Sequence, residues 1–261
     1  MRLPTKRQLL RAWTPAALQP VCWFEARRGA FTTISPATRS LADNDTVGYW
    51  RDLSKFGSDL SAAADDTTRP TLQGTSAFPY LNFDGSNDIL RRLGGNNLYT
   101  GGAASMFAAI RSNSNAASAI LVAEGYSGNT NDIYSLIGAN NTTASSLSGL
   151  IRNDAGTSLL PATTVLQTSV HDGNDRVVGG VDNGTTATPW FDGTQGAATT
   201  YTARTGTLTG DRFAVGGLWR TTAASWFAAR VYAVVVIPRA LSISEAKLLS
   251  TYLGRLQGRV I

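Results

Sequence analysis

The chain offers few side chains that could perform acid–base chemistry. Glutamate occurs three times, as Glu25, Glu124 and Glu245, and these residues are far apart in the sequence. The single histidine, His171, precedes Asp172. Because adjacent residues of a strand point to opposite faces, Asp172 cannot orient the imidazole as a catalytic triad requires. The sequence therefore predicts no catalytic residue and no enzymatic activity.

Metal ligands are equally sparse. One cysteine, Cys22, and one histidine exclude sites built from several such residues. Cys22 stands in an apolar run, which predicts a buried small hydrophobe. Two oxygen-rich clusters, Asp43-Asn44-Asp45 and Asn129/Asn131/Asp132, do not match a twelve-residue calcium loop. They indicate polar turns, and no metal or other cofactor is predicted from the residues themselves.

Four aromatic residues stand beside loops rich in glycine, threonine and asparagine, where a ring could stack on a sugar. They are Tyr126, Trp190, Tyr201 and Trp219. Each ring has an apolar face and an edge that can meet water, so it suits glycan contact. The alternative is that each ring packs into the core at the end of a strand. Both alternatives stay open at the sequence level.

Positive charge is concentrated at the start of the chain. The net charge is +5, and residues 1–28 carry six basic groups and one acidic group, so residues 29–261 are neutral overall. This segment could be a solvated arm, a docking arm for an acidic protein surface or a nucleic-acid contact. The interleaved aromatic platforms of single-strand binders are missing, which argues against nucleic acid. The candidate assembly residues are Arg2, Lys6, Arg7, Arg11 and Trp13.

Most of the chain shows the sequence pattern of short β-strands. Short apolar or alternating runs separated by polar turns recur at 21–25, 78–83, 104–110, 117–123, 132–138, 175–181, 212–218 and 226–237. Tight-turn dipeptides occur at Asp84-Gly85, Asp172-Gly173, Asn183-Gly184 and Asp192-Gly193. Many short strands with such turns predict an all-β fold, a sandwich or a barrel.

The last part of the chain predicts a central strand followed by a helix. Residues 230–237 are apolar on both faces, which is typical of a strand covered on both sides. Ser242-x-x-Glu245 is a capping box, and the leucines and the tyrosine after it share one helical face. A second capping box predicts a short helix over about 5–13. The simplest division is a basic helical arm, 1–20, and one β domain, 21–261.

Two series of residues resemble the concanavalin A-like lectin/glucanase superfamily in its laminin-G-like branch. The first comprises residues 50–54, 69–70 and 79–90, the last containing Phe-Asp-Gly-x-x-Asp-x-Leu. The second is the strand and helix start over 227–242, in which Ala228-Ala229-Arg230 replaces the usual Gly-x-Ile-x-Glu. The resemblance spans about 21–256 and implies a jelly-roll sandwich of two antiparallel sheets.

The resemblance also carries functional expectations. The Glu-x-Asp-x-x-Glu strand of the glucanases is missing, so chemistry by that motif is not expected. A glycan hydrolase or lyase stays a third alternative, and it would require aspartates from distant loops to converge in one cleft. Laminin-G-like relatives sometimes bind calcium, so the resemblance leaves calcium as an alternative bound ion. Because such domains recur in virion proteins, we expect a non-enzymatic structural protein of a phage particle, a capsid decoration, tail or baseplate component anchored by the arm. Its partners would be other virion proteins, host surface glycans and further copies of itself.

The alternative function is a free-standing carbohydrate-binding lectin module. No run approaches 18 apolar residues, so no membrane span is expected. The basic start lacks the apolar core of a secretory signal, which predicts synthesis in the host cytoplasm and residence in the virion. Nucleic acid is not an expected partner.

Overall fold

The computed structural model describes residues 13–32, 43–62, 66–96, 98, 102–112, 119–128, 133–139, 142–143, 145–152, 158–203 and 210–261. Arg2, Lys6, Arg7 and Arg11 lie outside these residues, as does almost all of the helix expected over 5–13. The second oxygen-rich cluster, Asn129/Asn131/Asp132, also lies outside them.

The described residues form mainly strands. In chain order these are β1 Cys22–Glu25, β2 Ala30–Phe31, β3 Tyr49–Trp50, β4 Leu60–Ser61, β5 Thr71–Gly74, β6 Pro79–Asp84, β7 Leu90–Leu93, β8 Ala104–Arg111, β9 Ile120–Gly125, β10 Ile133–Ala139, β11 Leu147–Arg152, β12 Ser158–Leu160, β13 Asp175–Asp182, β14 Thr186–Phe191, β15 Thr194–Gln195, β16 Thr199–Thr200, β17 Arg212–Val215, β18 Leu218–Trp219, β19 Ala223–Ala224 and β20 Ala228–Ile237. The helices are α1 Ala26–Gly29 and α2 Ile243–Leu256, with 3-10 turns at Pro15–Leu18 and Asp66–Thr68.

Two antiparallel sheets form the sandwich that the sequence predicts. Sheet A has the order β15-β14-β13-β8-β20-β6-β5, with β1 also paired to β20 and β16 to β14. Sheet B has the order β12-β11-β10-β9-β17-β7-β4-β3-β2, and β18 and β19 form a separate hairpin. The all-β class and the C-terminal helix are confirmed.

Alternation along the strands divides the core into layers. On β8, Met106, Ala108 and Ile110 belong to the core between the sheets, whereas Phe107 and Ala109 belong to the layer under α2. On β20, Val234 and Val236 likewise face the opposite sheet, and Val235 and Ile237 face α2. The central strand is therefore covered on both sides, as its apolar sequence predicts.

Local signals place the turns and the helix correctly. Gly85, Gly173, Gly184 and Gly193 all have positive φ, the conformation that a glycine adopts without a Cβ clash. Ser242 and Glu245 form the expected reciprocal capping box at the start of α2. Among the described residues, no helix is both long and apolar enough to span a membrane.

The residues just before β1 pack on α2. Trp13 meets Tyr252 edge to face at 5.9 Å between ring centroids, and Leu18 is buried in the layer between sheet A and the helix. The predicted division at residue 20 stays a prediction, but part of the proposed arm contacts the β domain directly.

Candidate functional site

The outer face of sheet B, opposite the inter-sheet core, carries the arrangement best suited to binding. A lateral row of paired residues runs across it from β11 to β7, Arg152–Ile133–Gly125–Arg212–Leu93. Directly paired residues of antiparallel strands point to the same face. On β17, Phe213 and Val215 enter the core, so this row faces away from it.

The β18–β19 hairpin lies over this row and brings Trp219 to it. A Cβ atom on Gly125 would lie 2.5 Å from the carbonyl oxygen of Trp219 and 3.1 Å from Cγ of Arg220. Glycine at position 125 therefore lets the hairpin approach the sheet closely. The hairpin in turn places the Trp219 ring beside the arginines of β7 and β17.

Two guanidinium groups lie over the Trp219 ring. The Cζ atoms of Arg91 and Arg212 are 4.7 Å and 4.3 Å from the ring centroid. These distances are within cation–π range, so the indole holds both cations in place. We call Arg91, Arg152, Arg212, Trp219 and Arg220 the Arg–Trp face.

Positive charges on this face influence one another. Burial, and then the charge of Arg212, lower the pKa of Arg91 from its usual value. Burial and the charge of Arg152 lower the pKa of Arg220 in the same way. Within the described part of the chain, the one ion pair on this face joins Arg212 Nε to Asp211 Oδ1 at 3.8 Å. The face is therefore cationic.

An exposed apolar side chain borders the cations on the same face. Leu93, paired with Arg212, is 70% exposed, and Tyr126, which directly follows Gly125, is 37% exposed. Of the four aromatic candidates, Trp219 belongs to the face itself, and Tyr126 follows the glycine over which the hairpin lies. The surface combines fixed N–H donors with apolar area, which is what a sugar ring with polar and C–H faces requires.

The other two aromatic candidates belong elsewhere. Trp190 is 2% exposed and packs against Phe107 under α2, so its ring has no free face for a ligand and leaves the candidate set. Tyr201 donates its hydroxyl hydrogen to Asp182 Oδ1 at 2.5 Å, and Tyr134 donates to Oδ2 at 2.7 Å. Tyr201 therefore satisfies a buried carboxylate, away from the Arg–Trp face.

The four arginines of the Arg–Trp face were not singled out by sequence. A signal exists for two of them in the alternation of Leu90-Arg91 and Arg212-Phe213, which places each arginine on the face opposite an apolar residue. That signal favours an outward position for these two arginines, whereas Arg92 lies on the core side over Phe213. It does not show that β7 and β17 are neighbours.

The glutamates are engaged in local structure. Glu25 accepts from Trp23 Nε1 at 2.9 Å and from the Tyr252 hydroxyl at 2.5 Å, while burial raises its pKa. Glu124 accepts from the backbone of Asn96 at 3.0 Å. The third glutamate closes the capping box of α2.

Cys22 and the first oxygen-rich cluster also have structural surroundings. Cys22 is buried, and burial raises the pKa of its thiol to about 12. Asp43 accepts from Gly74 N at 3.1 Å and Asn44 Nδ2 at 3.4 Å, so its carboxylate takes part in local turn structure. Among the residues with a described placement, no three His, Cys, Asp or Glu side chains converge as a metal site.

A concavity of about 410 Å³ lies at one end of sheet A. Its lining includes Asn82, Asp84, Arg111 and Arg230. The only ring in its lining is Phe83, which is 2% exposed and belongs to the core. It therefore lacks the aromatic surface found on sheet B, and we take the Arg–Trp face as the candidate site.

Comparisons with known proteins agree with the sandwich fold. No protein-family model matches the chain, and no curated protein sequence matches it. Among solved structures, the binding domain of Paraclostridial Mosquitocidal Protein 1 aligns with a TM-score of 0.59 at 11% identity, covering 90% of this chain and 52% of that one. A Trypanosoma rangeli sialidase in complex with 2,3-difluorosialic acid aligns with a TM-score of 0.54 at 14% identity, covering 91% and 33%.

A third similar structure corresponds to a single domain. Domain 4 of AbnA, a GH43 extracellular arabinanase from Geobacillus stearothermophilus in complex with arabinotriose, aligns with a TM-score of 0.52 at 10% identity, covering 89% of this chain and 98% of that one. The chain spans only a third to a half of the sialidase and toxin chains. At these identities the likeness shows the fold alone.

Proposed function

We propose that this chain is a carbohydrate-binding β-sandwich module that uses the outer face of sheet B. The observation that carries the proposal is the Trp219 ring with the guanidinium groups of Arg91 and Arg212 over it. The fold is shared with the binding domain of a toxin and with an arabinanase domain in complex with arabinotriose. These likenesses support a binding role without specifying the ligand.

The chemistry of the face suits a sugar. Guanidinium groups donate several N–H bonds in a fixed plane, and sugar hydroxyl oxygens accept them. Exposed Leu93, paired with Arg212, offers apolar surface to the C–H face of a sugar ring. The proposal includes no hydrolysis: each of the three glutamates, the residue type at both ends of the glucanase motif, has a structural partner.

Binding and hydrolysis can be measured on the same samples. We expect the full chain to bind members of a mixed neutral and acidic glycan panel, and Trp219→Ala to weaken binding about tenfold, since the ring positions two donors. Phe78→Ala, which removes a 42%-exposed ring at the turn between β5 and β6, is the matched control. Release of reducing ends would contradict the non-enzymatic part, and no binding across the panel would contradict the whole proposal.

We also propose, as a second candidate, the virion role expected from the sequence. It is supported by the four basic residues and absence of acidic residues in 1–12, and by the docking of Trp13 on Tyr252 at the base of this segment. A phage particle, its other proteins and self-association through the arm remain part of this second proposal. Its test is the mass of the assembly in solution, measured by light scattering for the chain with and without residues 1–12.

A further inference from the structure

The Arg–Trp face concentrates cations whose charge is poorly neutralised. Arg91 and Arg212 meet over Trp219, and Arg152 and Arg220 are close enough for the charge of one to act on the other. In the described ranges, Arg91, Arg152 and Arg220 form no ion pair, and Arg152 Nε donates to the hydroxyl of Ser158 at 3.2 Å. An anion bound here would reduce the electrostatic repulsion between these guanidinium groups.

Trp219 makes these cations a preorganised receptor. A free arginine side chain loses considerable rotamer freedom when it binds a ligand. Here the indole fixes the guanidinium groups before a ligand arrives, and Gly125 fixes the indole by letting the hairpin approach the sheet. Planar guanidinium groups match the two oxygens of a carboxylate in a bidentate arrangement.

We propose that the Arg–Trp face binds carboxylate-bearing sugars, with the acid group on Arg91 and Arg212 and the sugar ring on Leu93. This inference rests on the proposed carbohydrate-binding function and names its ligand class. The exposed apolar area beside the cations favours a sugar acid over an inorganic anion. Nucleic acid fits less well, because guanidinium groups cover the Trp219 ring on which a base would stack.

The test compares acidic glycans with neutral counterparts of the same backbone. Calorimetry on the full chain would use polygalacturonate against its carboxyl-reduced form, and 3′-sialyllactose against lactose, at low and high NaCl. Binding to either acidic probe identifies the source of the carboxylate as a uronate or a sialate. We expect the preferred acidic probe to bind at least about tenfold more tightly than its neutral counterpart and to weaken with salt.

Variants locate the interaction. We expect Arg212→Gln and Arg91→Gln each to weaken acidic-glycan binding about tenfold, the loss of one charge-assisted contact. Arg111→Gln removes an exposed arginine from sheet A, changes the net charge equally and should leave binding unchanged. Thermal unfolding of each variant verifies that the fold is intact.

The possible results separate the two proposals. Equal binding of acidic and neutral glycans, unaffected by Arg212→Gln, would overturn the acid specificity and leave carbohydrate binding standing. No binding to any glycan would overturn both. Competition by a single-stranded oligonucleotide at equal or higher affinity, lost in Arg212→Gln, would overturn the sugar-acid assignment in favour of nucleic acid.

Discussion

His171 shows how burial sets the chemistry of a single residue. Its ring is buried, meets Phe227 edge to face at 5.2 Å, and places Nε2 3.4 Å from the carbonyl oxygen of Gly138. Burial lowers the pKa of His171 to about 4, against smaller opposing effects of the Gly138 bond and the charge of Asp172. A neutral imidazole therefore belongs to the folded state.

The first residue-scale prediction follows from this pKa. Because the folded pKa lies below the unfolded value, His171 contributes stability above about pH 6.5 that is lost as the pH falls towards about 4, up to about 3 kcal/mol. Denaturant unfolding at several pH values across this range measures the loss. His171→Leu should reduce the slope of the free energy of unfolding against pH. Since the chain has one histidine, its NMR signal can be followed directly; titration near pH 6.5 in the folded protein would contradict the prediction.

Residue types were predictable here, but exposure was not. Trp190 and Trp219 both stand beside polar loops in the sequence, yet one packs under α2 and the other meets two arginines on sheet B. Which face of a strand is covered depends on an element far away in the chain. Local composition therefore identified the aromatic candidates without separating core from surface.

At the scale of elements, α2 was predictable because its signals are local. The Ser242 hydroxyl accepts from Glu245 N, and the Glu245 carboxylate accepts from Ser242 N at 2.9 Å. Arg239 adds two charge-assisted bonds to Glu245, at 3.0 Å and 2.8 Å, which lower the pKa of that carboxyl to about 2. The start of α2 is thus stabilised by bonds to Glu245 from both Ser242 and Arg239.

The capping box has a measurable effect on stability. Ser242→Ala should lower the free energy of unfolding by about 1 kcal/mol, because it leaves a helix N–H without its acceptor. Lys247→Ala, an exposed change on the same helix, is the control. Equal stability of the two variants in denaturant unfolding would show that the capping bonds contribute nothing net.

The β18–β19 hairpin is the contrasting element. Its two strands are two residues each, and its position depends on the absence of a side chain at Gly125. Arg212 becomes a neighbour of Leu93 and Gly125 only because β17 inserts between β7 and β9. Such pairings are non-local, so the sequence predicts the strands but not the site they assemble.

At the scale of the whole molecule, the sandwich follows from alternation and turns, whereas the boundary of the β domain does not. Residues 1–12 contain four basic residues and no acidic one. Trp13 and Leu18, by contrast, pack against the α2 layer. Part of the proposed arm therefore packs on the β domain, and the predicted division at residue 20 stays a prediction.

Two deletions test this division. A chain lacking residues 1–12 keeps Trp13 and Leu18 and is the reference in denaturant unfolding. A chain lacking residues 1–20 loses the buried Leu18 and the Trp13–Tyr252 contact, and should be less stable by about 3 kcal/mol. Equal stability of the two shortened chains would contradict the packing argument.

The same proteins test the proposed assembly role by light scattering at low and high salt. If the basic residues drive self-association, the full chain is the larger species at low salt, and both salt and removal of residues 1–12 reduce it to the monomer. Where the chain lacking residues 1–12 unfolds at the same denaturant concentration as the full chain, a change in mass is assigned to charge and not to unfolding. An unchanged mass at every salt concentration would exclude self-assembly through these residues, and the Arg–Trp face would then carry the functional proposal alone.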